Sequence, residues 1–463
     1  MRLFPGPVIR LSVRHIRKRV YIPQPSDAYL NDRLVYDESE IDAASVSKEA
    51  SRTLNDLALK PKLHVEDENF DVSLNSAPKQ KLYEDKKSPK LFHFPSPEPL
   101  DRVGTDSADE GKRFVIRDES DGRAIKKLKK PLRVAKALNF SRIPLEKQAI
   151  FLFPGQGSQF VGMGRQLLDC DASRNLFEAA KHILGYDLLK LCLDGPKESL
   201  DRTVHCQPAV FVASLAAVEK LRQERPEAVE NAVAAAGFSV GEYAALVFAK
   251  TLSFAEGLRI VQIRAEAMQK CSEAIPSGMV TVRVSADSQL GEALIHARRA
   301  TMQAHHSQEP TVCSVANYLL QGMQVVGGDD VTLSFLDQNA REYNIEVVKR
   351  LPVSGAFHTK RMRDAAAPVE EALNSAEMSL PVIDVYSNVT GAPYERNIGR
   401  IKRNLVDQIY LPVKWEQIQQ LLFRRRVGDH FPRYFELGPG RQLGAMFYYV
   451  SKKAHKSLTN VPV

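Results

Sequence analysis

The pentapeptide Gly237-Phe238-Ser239-Val240-Gly241 constrains this chain more than any other stretch. It follows Ala232-Val233-Ala234-Ala235-Ala236, a run of small apolar residues that reads as a buried strand, and it precedes a helical stretch from Glu242 to Phe248. A strand that enters a helix through two glycines makes a tight corner with close packing, and a serine at its apex projects its hydroxyl outward. The helix N-terminus beneath favours negative charge developing at that point. On the pentapeptide alone, a Gly-Ser turn without chemistry is the competing reading.

The neighbouring segments supply the fold. Ala149-Ile150-Phe151-Leu152-Phe153 is a second buried strand, stopped by Pro154-Gly155. Helical stretches follow around Gly164–Leu168, Asn175–Leu184 and Ala209–Arg225, the last opened by Pro208 as a first-turn residue. Strand, helices, strand, helix is an α/β layout with parallel strands. The rhythm then changes. Met279–Val284, Val312–Asn317, Gln324–Val326 and Ile345–Leu351 read as strands, with helices at Gln289–Ala304 and Val331–Glu342. That β-α-β-β-α-β order marks a ferredoxin-like α+β module. Afterwards α/β material resumes, with strands at Asp384–Ser387 and Arg433–Leu437 and a helix at Leu411–Phe423. The expectation is a hydrolase-like parallel-sheet core (148–277 and 355–450), an inserted ferredoxin-like subdomain (278–354) and a tail (451–463).

The amino-terminal third is different in kind. Residues 1–24 hold Arg2, Arg10, Arg14, Arg17, Lys18 and Arg19 among apolar residues, with no acidic residue before Asp27. This is the pattern of a mitochondrial transit peptide and implies the matrix; a secretory signal would need an uninterrupted apolar run. Residues 25–147 read as a mostly disordered linker, too polar to offset their ordering entropy. Within it, Lys126-Lys127-Leu128-Lys129-Lys130 reads as solvated chain. No apolar run is long enough to span a membrane. The formal charge of +8 favours an acidic partner without naming one. Five scattered cysteines with no C-x-x-C pair argue against a disulfide framework or structural zinc, and His305-His306 lack companions at ligand spacing.

A serine nucleophile needs a base. Of the eleven histidines, His358 stands out, because Leu351-Pro352-Val353-Ser354-Gly355-Ala356-Phe357 carries it from a strand through a glycine turn to the front of a helix near Lys360. Seven motifs then occur in order: Phe153 to Gln159, Gly237 to Glu242, Ile263 to Gln269, Pro352 to Thr359, Ser387 to Gly391, Gln408 to Trp415 and Glu436 to Gly440. With these the chain from about Ala149 to Met446 resembles the malonyl-CoA:acyl carrier protein transacylases of fatty acid synthesis, especially the mitochondrial ones.

The resemblance implies a role for each matching residue. Ser239 would be the nucleophile that becomes malonylated and His358 its base. The backbone N–H groups of Gln156 and Val240 would hold the oxyanion. The backbone carbonyl of Gln408 would orient the histidine, which explains the lack of an obvious triad carboxylate. Arg264, set on a mostly apolar helical face, would pair with the free carboxylate of malonate through two parallel hydrogen bonds. The substrates would be malonyl-CoA and a phosphopantetheinylated acyl carrier protein. No cofactor or metal, no nucleic acid and a monomer are expected. One departure is Phe238, where many relatives have histidine. Two other readings compete: a serine hydrolase or thioesterase, and a catalytically inert scaffold that binds carrier protein or RNA.

Overall fold

The computed structural model describes residues 143–305, 311–424 and 430–463. The expected transit peptide (1–24), Lys126–Lys130, His306 and Arg425-Arg426 lie outside the described residues, as does most of the expected linker. Its last residues are described, and Leu145–Lys147 form a 3-10 turn.

Ten strands are described in chain order: β1 (Ala149–Phe153), β2 (Ala232–Gly237), β3 (Ser277–Val284), β4 (Cys313–Leu320), β5 (Met323–Asp329), β6 (Ile345–Arg350), β7 (Asp384–Tyr386), β8 (Val413–Lys414), β9 (Arg433–Leu437) and β10 (Leu458–Val461). They form two sheets. The first is wholly parallel, in the order β10-β9-β1-β2-β7. Every residue of β1 is buried. Ala149, Phe151 and Phe153 join the large core on one face, while Ile150 and Leu152 join a smaller one on the other. Burial on both faces explains why these strands read as unbroken apolar runs.

The second sheet has the order β6-β3-β5-β4-β8. Its first four strands pair antiparallel, with the helices Leu290–His305 and Asp330–Asn339 completing the β-α-β-β-α-β order. The α/β class and the ferredoxin-like arrangement read from the sequence both stand. The second sheet is not self-contained, however, because β8 comes from the later part of the chain and pairs parallel with β4 through Asn317 and Tyr318. The two layers are also joined by polar contacts. Arg361 Nε and Nη2 donate to Asp329 at 2.5 and 2.7 Å, and the Ala356 N–H donates to Ser277 Oγ at 3.2 Å.

Four expectations need correction. Residues 451–463 are not a tail. They form the short helix Lys452–His455 and β10, which adds to the parallel sheet and buries Val461 and Val463 in the large core. Pro208 does not open a helix; the helix runs Thr203–Glu224, anchored where the Thr203 N–H donates to Gln269 Oε1. That contact satisfies a first-turn N–H, and Pro208, inside the helix, forgoes only the one ladder bond its own N–H would have made. The helix expected over 411–423 begins only at Trp415, since Pro412 breaks it and Val413–Lys414 pair as β8. Around 164–168 there is a single 3-10 turn, Arg165–Leu167.

Deleting residues 451–463 exposes the edge of β9 and removes two buried valines. The expected outcome in a thermal melt is a Tm lower by about 5–10 °C, and an unchanged Tm would mean that β9 needs no neighbour.

Candidate active site

The corner after β2 has the strain expected of an elbow. Ser239 sits at φ 53°, ψ −111°, a conformation costly for any residue with a Cβ. It is held by its surroundings: its N–H donates to Asn388 Oδ1 at 2.7 Å, while Asn388 Nδ2 donates to Gly237 O at 2.7 Å. The flanking glycines have a measurable reason. A Cβ on Gly237 would lie 2.0 Å from the Gly241 carbonyl, and one on Gly241 would lie 2.2 Å from Phe153 O. Asn388 also begins an Asn-x-Thr sequon, yet it is fully buried beneath the serine.

His358 faces the elbow from the segment that returns after β6. Its Nε2 lies 2.8 Å from Ser239 Oγ, and its Nδ1 lies 2.7 Å from the carbonyl oxygen of Gln408. A carbonyl can only accept, so Nδ1 carries the proton and Nε2 presents a lone pair to the serine hydroxyl. Burial and the nearby Arg264 charge pull the His358 pKa down to about 3, against the opposing effect of the Gln408 carbonyl. The imidazole is therefore neutral at ordinary pH, with the Nε2 lone pair free to accept the serine hydrogen bond.

Arg264 comes from the helix Phe254–Ala274 and has no exposed surface. Its Nη1 donates to Gln207 Oε1 at 2.6 Å. Its Nη2 donates to Gln408 Oε1 at 2.8 Å and to Ser239 Oγ at 3.1 Å. The guanidinium also stands over the Tyr243 ring, 5.5 Å from its centroid. Glu242 lies behind this group, fully buried, and accepts hydrogen bonds from Tyr394 Oη, Gln408 Nε2 and the Asn388 N–H. Burial pushes its carboxyl up to about 7, although those three donors and the Arg264 charge pull the other way.

The remaining expected residues take their places. Val240 starts the helix Val240–Phe248, so its N–H has no intrahelical acceptor. Among the described residues, neither that N–H nor the one of Gln156 donates a hydrogen bond. Gln156, Ser239 and His358 line one cavity of about 230 Å³. Phe238 also lines it and meets Trp415 edge-on, with ring centroids 5.5 Å apart. The structure thus brings together all six residues singled out from the sequence.

Sequence reasoning missed Gln207, Glu242, Asn388 and Tyr394. Glu242 and Asn388 lie inside quoted motifs, so their position was visible but their partners were not. Gln207 and Tyr394 carry no local signal. Among the described residues, no group of three or more His, Cys, Asp or Glu is placed to hold a metal, and all five cysteines are free.

Comparison with known proteins is decisive at this point. Residues 150–410 match the family described as acyl transferase domain. Over 315 residues the chain is 50% identical to the mitochondrial malonyl-CoA-acyl carrier protein transacylase of Homo sapiens, covering 68% of this chain and 80% of that one. The chain belongs to the malonyl-CoA-acyl carrier protein transacylase family. Among solved structures, the acyl-carrier-protein-S-malonyltransferase of Bartonella henselae is 28% identical with a TM-score of 0.60, covering 68% of this chain and 96% of that one. A malonyl-transacylase solved in complex with its type II polyketide acyl-carrier protein is 28% identical with a TM-score of 0.57, covering 68% of this chain and 96% of that one.

The histidine geometry gives a direct measurement. In ring-nitrogen NMR of the free enzyme, one of the eleven imidazoles, identified by its loss in His358→Ala, is expected to stay neutral at pH 5. Titration of that ring near 6.5 would mean that it is hydrated and that the site is open to water.

Proposed function

We propose that this protein moves a malonyl group from CoA to an acyl carrier protein through an ester on Ser239. The observation that carries the reading is the buried Arg264 cation 3.1 Å from Ser239 Oγ, placed where an acyl group on that oxygen would extend its free carboxylate. A malonyl group carries such a carboxylate and an acetyl group does not. The carboxylate would replace the hydroxyl as a partner of Nη2 and could reach the orphaned Nε, which has no acceptor in the free site.

In the first half-reaction Ser239 Oγ attacks the thioester carbonyl and its proton passes to His358 Nε2. The tetrahedral oxygen takes the two unused N–H groups of Gln156 and Val240. The C–S bond breaks, His358 returns its proton to sulfur, and CoA leaves as a thiol. In the second, the phosphopantetheine thiol of the carrier protein gives its proton to His358 and attacks the malonyl ester. Ser239 recovers the proton as the new thioester forms. Each step exchanges an acyl group between oxygen and sulfur with no change of oxidation state, so the chemistry calls for no cofactor beyond the two substrates.

The enzyme works in mitochondria, consistent with the name of its human relative, and we place it in the matrix, supplying fatty acid synthesis there. Residues 1–24 would be the address that directs it. No helix among the described residues is long and apolar enough to cross a membrane. A monomer suffices for this chemistry, since one chain supplies all six residues.

Mixing the protein with malonyl-CoA is expected to add one malonyl mass to the peptide containing Ser239, and carrier protein with its arm should discharge it. An adduct that decays equally fast in water alone would favour a thioesterase, and no adduct would favour an inert scaffold. Arg264→Ala is expected to reduce the preference for malonyl over acetyl by about 100-fold, because a buried carboxylate would lose its paired cation. An unchanged ratio of kcat/KM values would remove Arg264 from acyl selection.

A further inference from the structure

The cavity in front of Ser239 is walled largely by apolar side chains, among them Met268, Met279, Leu319 and Val325. Four polar side chains of that wall, Thr281, Asn317, Lys349 and Gln442, have no part in the chemistry above. Asn317 is 5% exposed, and its carboxamide makes no hydrogen bond among the described residues, leaving Oδ1 fully buried and orphaned. The backbone aims it deliberately. Val315 pairs with Val326 and Asn317 with Val325, so β4 advances two residues against one of β5. A bulge of this kind breaks the alternation of faces and redirects a side chain, commonly beside an active site. On its other edge Asn317 pairs with Val413 in β8, which leads through Lys414 into Trp415 against Phe238. Asn317 therefore stands on the seam between the two sheets, facing the elbow's own pocket.

A buried, unpaired carboxamide is costly, and folded proteins keep few of them without a partner to come. It offers an acceptor and two donors, the complement of a secondary amide. Both substrates of the proposed reaction bear the phosphopantetheine arm, a flexible chain with two secondary amides separated by methylenes. Its methylenes suit the methionines and aliphatic residues of the wall, and its amides need a polar partner there. We propose that Asn317 binds a secondary amide of this arm in both half-reactions, holding the thioester or thiol in line with Ser239. This inference rests on the transferase reading above.

The test uses Asn317→Leu, which keeps the size and removes the hydrogen bonds, with two malonyl donors: malonyl-CoA and the ethyl thioester of malonate, which has no amide. The expected result is a fall of about 10–100-fold in kcat/KM for malonyl-CoA, with a similar fall for transfer to the carrier protein. Malonylation of Ser239 by the ethyl thioester should stay within about twofold of wild type, which also shows that the variant folds. Equal losses with both donors would make Asn317 a structural residue and overturn the proposal, as would no loss with either. If wild-type Ser239 takes up malonate from neither donor, the transferase reading itself fails, and the two failures remain distinct.

Discussion

A guanidinium with no contact with water sits 3.1 Å from the hydroxyl of a strained serine, and the rest of the site is arranged to make that tolerable. An unpaired charge buried this deeply would cost several kcal/mol. The protein spreads the cost over two glutamine oxygens, an aromatic face and a buried carboxylate held one residue away through Gln408. Gln408 serves three masters at once: its backbone carbonyl fixes the His358 tautomer, its Oε1 takes the arginine, and its Nε2 is shared between Glu242 and Ser239 O. The buried cation and the imidazole tautomer are thereby fixed by one residue, so neither can be shifted without moving the other.

The same network ties chemistry to architecture. Ser239 lies on the parallel sheet, while His358 arrives on the segment leaving β6, the edge of the second sheet. Their 2.8 Å contact exists only if the two sheets keep their relative position. The Arg361–Asp329 pair, the Ser277 hydroxyl and the pairing of β8 with β4 hold that position from three sides. Both Ser239 and His358 have positive φ, at 53° and 59°. Strain stored on each side of the seam persists because contacts on both sides over-determine it.

What the sequence could disclose follows from how local each cause is. The elbow was legible because its causes are local: a small-residue strand, two glycines whose Cβ atoms would strike backbone, and a helix start. The α+β module was legible from the change of period alone. Residues 451–463 were not, because a four-residue strand with polar Thr459 and Asn460 has no period to read, and only β9 makes it a strand. Pro208 misled for a related reason, since the anchor for that helix is Gln269, distant in sequence and adjacent in space. Gln207 was invisible because its importance lies wholly in what it faces.

The burial that makes Arg264 expensive also bears on why this site would transfer rather than hydrolyse. A hydrolase needs a water near the ester and a base free to activate it. Here His358 is 3% exposed, and the surrounding wall offers water few polar partners. Phe238 adds to this: against Trp415 it presents an aromatic ring where a histidine would offer a nitrogen to a water molecule. A thiol at the end of a long arm held along its length can enter such a pocket, whereas a water must give up hydrogen bonds to do so. The acyl-enzyme is then protected less by any group that repels water than by a cavity in which water has little to hold.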